Sequence, residues 1–260
     1  MELALDTSSK TNSIALAREG KVVSSFIWSS SHNETVELLP NLVYLLKQTR
    51  TEIDLLEAIY IALGPGSFNS LRVGLSIAKG LAFSLNIPLF SLSTLEIMAY
   101  PFAYTELPII PVQLTGRDRI ATAIYRQDKK WHCIKSEYLS TLELVCSQVK
   151  QQTFFCGEIN PDTRNFIQQE LGSLAIIPPI PNISHIDSLA LLGWNKLLNG
   201  NQDNIYTLQP LYLRPPHITK PRKSNYPSNE NEDYDVNRSN SSLSTSAEES
   251  IVPTSEETEV

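Results

Sequence analysis

The segment Gly64-Pro65-Gly66-Ser67 has the composition best suited to binding a ligand through the backbone. It follows an apolar run of strand length at 58–63 and precedes a helical pattern over 69–85. Backbone N–H groups at a helix N-terminus can bind an anion. The segment is neither a Walker A loop nor a GxGxxG turn, because the Gly-Lys-Ser/Thr triplet is absent and Asn69 occupies the third glycine position. The residues leave two interpretations open: a phosphate-binding loop, or a tight strand-to-helix turn.

Asp6 is the second candidate, together with the hydroxyl residues Thr7 and Ser8 that follow it. An acid at the end of a first strand can hold a metal-bound water while the turn faces phosphate. The alternative is an aspartate that caps a hairpin through local hydrogen bonds, and the spacing alone favours this alternative.

Metal and nucleophile chemistry have little support in the sequence. The four histidines are far apart, without HxxxH or HExxH spacing, and no GxSxG is present. The three cysteines show no CxxC spacing and are expected to be reduced, in a cytoplasmic protein without a signal peptide. No metal and no cofactor are therefore expected.

The elements that must position these residues follow from hydrophobic periodicity. Short apolar runs at 3–6, 13–17 and 22–28 predict an antiparallel meander. A helix then follows, because Val36, Leu39, Val43 and Leu46 recur at helical spacing around Pro40. Adding strands at 58–63 and 87–92, the helix at 69–85 and a capping box at Ser93–Glu96 gives the order βββαβαβα.

The second half repeats this order in weaker form. It comprises predicted strands at 112–114, 120–125, 131–136, 153–156 and 174–178, helices at 162–171 and 187–199, a capping box at Ser140–Glu143, and a last extended run at 207–213. Two side-by-side copies of one α/β unit are the simplest architecture, with lobes at 1–103 and 104–220.

Ser70, Gly74, Ala78 and Ala82 fall four residues apart on the second predicted helix. Small residues on one helical face let another backbone approach closely. The contact could be with the sheet of the same lobe or with a helix of another subunit.

The net charge of −7 lies in the C-terminal tail. Residues 224–260 carry nine acidic side chains and one basic, so residues 1–223 carry about +1. This near-neutral body argues against a broad basic face that grips nucleic acid. Residues 221–260 are rich in serine and poor in large apolar groups, which predicts a disordered acidic tail. No apolar run approaches the length of a membrane span, so no membrane association is expected.

Several motifs, taken in order, resemble the TsaB (YeaZ) family. They are Leu3–Ser8, His32 with Leu38-Leu39-Pro40, Leu63–Phe68, Leu71–Gly74, Ala78–Leu81, Ser93–Glu96 and Pro210–Arg214. The resemblance is strong over 1–100, weaker over 101–205, and does not include the tail. Two departures are Asn69-Ser70, where the family commonly has Thr-Gly, and Leu114–Arg117 in the second lobe.

The resemblance implies a two-lobed actin/Hsp70-like (ASKHA, RNase H-like) fold. It also implies a non-catalytic subunit of the bacterial machinery that forms N6-threonylcarbamoyladenosine (t6A) at position 37 of tRNA. The expected partners are a TsaD-type transferase and a TsaE-type ATPase, with a homodimer possible when the chain is alone and tRNA contacted indirectly. The partner surface would be the first two helices, with Val36, Leu39, Val43, Leu46, Ser70, Gly74 and Ala78.

Two other functions remain open at this stage. The first is an ASKHA-type ATPase or phosphotransferase that uses Asp6 and the Gly64–Ser67 loop, although the second lobe offers no glycine-rich counterpart. The second is a metallopeptidase, which the lack of metal-ligand spacing opposes.

Overall fold

The first half of the chain forms one mixed sheet with helices on it. The structure is a computed structural model and describes residues 1–30, 33–116, 118–179 and 185–213. The elements of this half are β1 (Glu2–Asp6), β2 (Thr11–Arg18), β3 (Lys21–Ser29), α1 (Glu34–Thr49), β4 (Ala58–Ala62), α2 (Phe68–Leu85), β5 (Leu89–Leu92) and α3 (Thr94–Ala99). The strand order is β3-β2-β1-β4-β5, with β1–β2 and β2–β3 antiparallel and the other pairs parallel.

The second half repeats this topology. Its elements are β6 (Ile109–Leu114), β7 (Ile120–Gln127), β8 (Trp131–Ser140), α4 (Leu142–Gln148), β9 (Thr153–Gly157), α5 (Pro161–Leu171), β10 (Ala175–Ile176) and α6 (Ile186–Leu198). The order β8-β7-β6-β9-β10 has the same parallel and antiparallel pairs as the first sheet. The predicted duplicated α/β fold is confirmed.

Sequence pattern explains the strands that carry the site. β4 is a continuous apolar run, and β1 has an apolar centre between Glu2 and Asp6; both strands are buried along their whole length, as expected of strands covered on both faces. β3, at the sheet edge, alternates between exposed and less exposed residues, because successive side chains point to opposite faces. β1 therefore ends in the interior, with Asp6 at the point where the lobes meet.

Two helices pack on the sheet formed by the other half of the chain. α3 packs its Leu95 and Met98 against the second sheet, in a cluster with Ile109 and Tyr125. α6 packs on the first sheet, where Gly193 lies so close to Tyr60 that a Cβ atom would come within 2.2 Å of the ring. Each sheet is thus covered by a helix from the other half, and residues up to 213 belong to one compact unit.

Residues 207–213, predicted as an extended run, belong to neither sheet; the Leu211 N–H donates to the Leu63 carbonyl. Two local predictions are wrong. The box at Ser93 makes no side-chain cap, because Glu96 accepts from the Trp131 indole. The second box begins one residue later, with Thr141 accepting from the Leu144 N–H.

Some expectations concern residues outside the described part of the chain, namely the disordered tail 221–260, His32, Arg117 and Arg214. None of the helices among the described residues is both long and apolar enough to cross a bilayer.

Candidate functional site

Asp6 caps the β1–β2 turn. Its Oδ1 accepts hydrogen bonds from the Ser8 N–H at 2.9 Å and from the Ser8 hydroxyl at 2.6 Å. Burial raises the pKa of Asp6, and the two bonds from Ser8 oppose that rise. The geometry is that of the hairpin cap that the spacing favours.

The Gly64–Ser67 loop packs directly on this turn. The Ser67 N–H donates to the Ser8 carbonyl at 3.1 Å. A Cβ atom at Gly66 would lie 2.3 Å from the same carbonyl oxygen, so only glycine allows this approach. The N–H groups of Ser8 and Ser67 are therefore both bonded within the protein, as expected of a tight turn.

A cavity of about 780 Å³ lies between the two lobes, at the carboxyl ends of β1, β6 and β9. Its polar lining includes Asp6, Ser8, Lys10, Ser30, Glu34, Ser67, Ser70, Gln113, Thr115, Glu158 and His185. Ligands of open α/β sheets bind outside the carboxyl ends of the strands. The predicted residues Asp6, Ser8, Gly66 and Ser67 thus share one cavity, whereas Thr7 and Gly64 do not line it.

The sequence reasoning missed Glu34, which begins α1 and is buried in this cavity. Burial opposes its ionisation, but its own backbone N–H and the Ser70 and Ser30 side chains outweigh burial and hold the pKa of Glu34 below its ordinary value. The sequence could have identified Glu34 as a candidate, because it is an acid in the first turn of a predicted helix, where the helix dipole favours negative charge.

Gln113 and Glu158 were also missed. They lie at the end of β6 and directly after β9. The Glu158 carboxylate accepts from the Leu114 N–H at 2.9 Å, which links the two strand ends. The sequence pattern that could have identified Gln113 and Glu158 is a polar residue at the end of each of two neighbouring parallel strands.

The small-residue face of α2 is buried within its own lobe. Ser70, Gly74 and Ala78 are buried. A Cβ atom at Gly74 would lie 2.3 Å from Thr7 Oγ1, and that hydroxyl donates to the Ser70 carbonyl. The close approach that these residues allow is thus made to the end of β1.

The apolar residues of α1 divide into two groups. Val36, Leu39 and Val43 are 69%, 46% and 47% exposed. Leu46 is only 7% exposed and belongs to the core beneath α1. The first three form an exposed apolar stripe, because they recur at i, i+3 and i+7.

Gly80, in the middle of α2, is exposed, and beyond the neighbouring turns of its own helix no heavy atom of the described residues lies within 4 Å of the position that a Cβ atom would take. Glycine inside a helix costs about 0.5–1 kcal/mol relative to alanine. Spacing in the sequence does not distinguish the buried face of α2, with Gly74, from the exposed face, with Gly80.

Residues 208–213 run back to the first lobe. The Tyr212 ring packs against the ring of Phe68, the first residue of α2, with the ring centroids 4.9 Å apart and the planes tilted by 33°. Arg72 lies over the Phe68 ring and donates from Nε to the Tyr212 hydroxyl at 3.0 Å. This segment therefore holds the beginning of α2 against the Gly64–Ser67 loop.

The described part of the chain contains neither a metal-ligand cluster nor a disulfide. No group of three or more His, Cys, Asp or Glu residues there could hold a metal ion. Cys133, Cys146 and Cys156 are all free.

Comparison with known proteins matches this chain to proteins of tRNA threonylcarbamoyladenosine biosynthesis. A sequence model described as "TsaD: tRNA N6-adenosine threonylcarbamoyltransferase" matches residues 21–207. The tRNA threonylcarbamoyladenosine biosynthesis protein TsaB of Bacillus subtilis is 36% identical over 221 residues, which cover 82% of this chain and 93% of that protein. A tRNA N6-adenosine threonylcarbamoyltransferase of Brachyspira hyodysenteriae is 32% identical, but over only 47% of this chain and 42% of its own length.

Solved structures share the fold. The YeaZ structure from Pseudomonas aeruginosa superposes with a TM-score of 0.66 at 24% identity and covers 82% of this chain and 99% of its own. A second Pseudomonas aeruginosa structure, described as similar to the peptidase YEAZ, has a TM-score of 0.68, also at 24% identity, with the same coverage.

Proposed function

The chain belongs to the TsaB (YeaZ) family, and from this premise we propose that it is a non-catalytic partner subunit in the formation of t6A at position 37 of tRNA. The match spans nearly the whole of a TsaB protein but less than half of a transferase. That difference supports the partner role over the transferase role.

The observation that carries the proposal is the exposed apolar stripe Val36, Leu39 and Val43 on α1, beside α2 with its unexplained Gly80. Apolar side chains exposed on adjacent helices mark a surface that another protein covers. A glycine with open space around it permits the backbone of a partner helix to approach. We call these four residues the α1–α2 surface and propose that it binds a TsaD-type transferase, or a second copy of the chain when that transferase is absent.

The charge of the body supports an indirect role toward tRNA. Residues 1–223 carry about +1, which is too little for a basic face that holds the tRNA backbone. The tRNA would accordingly be held mainly by the transferase, with a TsaE-type ATPase completing the assembly.

An omission assay tests the proposal. A threonylcarbamoyl-adenylate synthase, a TsaD-type transferase, a TsaE-type ATPase, ATP, threonine, bicarbonate and unmodified tRNA are mixed with and without this chain, and the t6A nucleoside is quantified. We expect product only when the chain is present and no ATP turnover by the chain alone. Equal product without the chain, or ATP turnover by the chain alone, would contradict the proposal.

Two variants locate the surface. Val43→Asp and Gly80→Leu should lower t6A yield and binding to the transferase by about tenfold or more, because they place a charge or a bulky side chain in the contact. Gln168→Leu, at an exposed position on α5, is the matched control and should leave both unchanged. Wild-type yield from both surface variants would remove the α1–α2 surface from the proposal.

A further inference from the structure

The hairpin that joins β7 and β8 is the most basic stretch of the described chain. Residues 126–135 hold one acidic side chain, Asp128, and four basic ones, Arg126, Lys129, Lys130 and Lys135, which we call the basic hairpin. No other run of ten described residues carries as large a net positive charge. The near-neutral charge of the body argues against a broad basic face, but it is compatible with this local one.

The register of the two strands brings part of this charge to one face of the sheet. Arg126 lies opposite His132, and Ile124 lies opposite Lys135. Directly opposed residues of an antiparallel pair project to the same side. A register shift beside Ile124 places one extra residue on β8. Arg126, His132 and Lys135 therefore share one face, next to the turn that carries the two other lysines.

The cations of the basic hairpin are not neutralised within the described part of the protein. No carboxylate there forms an ion pair with any of the four. Asp128 instead accepts from the backbone N–H groups of Lys129 and Lys130. Arg126 donates from Nε to the Glu106 carbonyl at 3.2 Å, and that bond does not use its two terminal nitrogens. The hairpin thus presents free positive charge to an anionic partner.

Two tyrosines accompany these cations. The Lys135 ammonium lies 3.7 Å from the centre of the Tyr138 ring, a contact that orients the charge without neutralising it. Tyr104, two residues before Glu106, is 78% exposed. Cations together with exposed aromatic rings suit a nucleic acid, because phosphates pair with the cations and bases stack on the rings. An acidic protein segment would use the cations but not the rings.

Protection of the sheet edge explains only part of the cluster. β8 is the outermost strand of the second sheet, and lysines on an edge strand prevent it from pairing with another strand. That role suits Lys135, which lies within β8. Lys129 and Lys130 lie in the turn between the strands, where there is no strand edge to protect.

We propose that the basic hairpin binds the phosphate backbone of the tRNA while the α1–α2 surface binds the transferase. The inference rests on the proposed function, which supplies the RNA. The hairpin belongs to the second lobe and shares no residue with the α1–α2 surface. A contact of this kind adds affinity and fixes the position of the tRNA, but it does not select the adenosine, because phosphate contacts carry no sequence information.

Binding of unmodified tRNA to the complete assembly tests the proposal. The assembly contains the full chain, a TsaD-type transferase and a TsaE-type ATPase, and Kd is measured at several salt concentrations. Lys129→Gln/Lys130→Gln should weaken binding by about three- to tenfold and lower the slope of log Kd against log salt by about 1–2, because two phosphate contacts are lost. Arg119→Gln/Lys150→Gln removes the same charge from exposed positions of the second lobe outside the hairpin, and should leave both quantities unchanged.

Wild-type affinity and salt slope in the hairpin variant, or an equal loss in the control, would overturn the proposal. Loss of the transferase or the ATPase from the assembly on size-exclusion chromatography would also overturn it, because the hairpin would then be a protein-binding surface. If circular dichroism shows that the double variant fails to fold, Lys135→Gln is measured and judged by the same criteria.

Failure of the proposed function is a separate result. The omission assay would then give equal t6A with and without the wild-type chain. If only the hairpin proposal fails, that assay still requires the chain, while the hairpin variant binds tRNA as tightly as the wild type.

Discussion

Gly74 and Thr7 are in direct contact: a Cβ atom at position 74 would lie 2.3 Å from Thr7 Oγ1. Thr7 Oγ1 also donates to the Ser70 carbonyl at 2.9 Å. One hydroxyl thus fixes α2 to the end of β1 and sets how the Gly64–Ser67 loop meets the β1–β2 turn.

Gly74→Ala should destabilise the fold by about 1–3 kcal/mol, because the added methyl overlaps with Thr7. The measurement is the free energy of unfolding in urea. In a double-mutant cycle, Thr7→Ala should recover part of that loss, since it removes both side-chain atoms nearest the new methyl. Additive effects of the two substitutions would contradict the contact.

Gly80→Ala on the same helix should have the opposite sign. The position is open, so the methyl meets nothing and helix propensity alone acts. We expect the free energy of unfolding of the chain alone to rise by about 0.5–1 kcal/mol. Gly74→Ala serves as the matched comparison, and a loss of stability in Gly80→Ala would show that the site is not open.

His185 should make the fold sensitive to acid. Burial lowers the pKa of this imidazole from 6.5 to about 4, so the unfolded chain binds a proton that the folded chain does not. Stability from this group is complete above pH 6.5 and falls as the pH drops toward 4, by up to roughly 2–3 kcal/mol.

The test compares urea unfolding of wild type and His185→Gln at several pH values. The variant should show a flatter dependence between pH 6.5 and 4, while the carboxyl groups of the cavity titrate in both proteins. His132→Gln, which removes an exposed imidazole on β8, is the control. A pH dependence in His185→Gln that matches the wild type would count against this role for His185.

Tyr212 should stabilise the chain mainly through its ring. Tyr212→Ala removes the ring packing on Phe68 and the hydroxyl that accepts from Arg72, and should lower the free energy of unfolding by about 1–2 kcal/mol. Tyr212→Phe keeps the ring packing and loses only an exposed hydrogen bond, so its effect should be clearly smaller. Equal losses in the two variants would show that the hydrogen bond, not the ring packing, fastens this segment.

Much of the fold could be predicted from local patterns. The apolar runs of β1 and β4, the periodicity of α1 and the small-residue stripe of α2 each identify an element whose main features depend on nearby residues. Glu96 shows where local reasoning fails. It fits a capping box, yet it bonds an indole 35 residues away, and no local pattern encodes that alternative partner.

The sequence by itself determined the duplicated α/β order, the family and the charge division between body and tail. Only the tertiary structure decided which face of α2 is covered, that α3 and α6 each pack on the sheet of the other half, and that Gln113 and Glu158 share a cavity with Asp6 and Glu34. The physical reason is the sequence distance over which each interaction acts. Periodicity and turn chemistry act over a few residues, whereas burial and cavity lining depend on residues far apart in the chain that folding brings together.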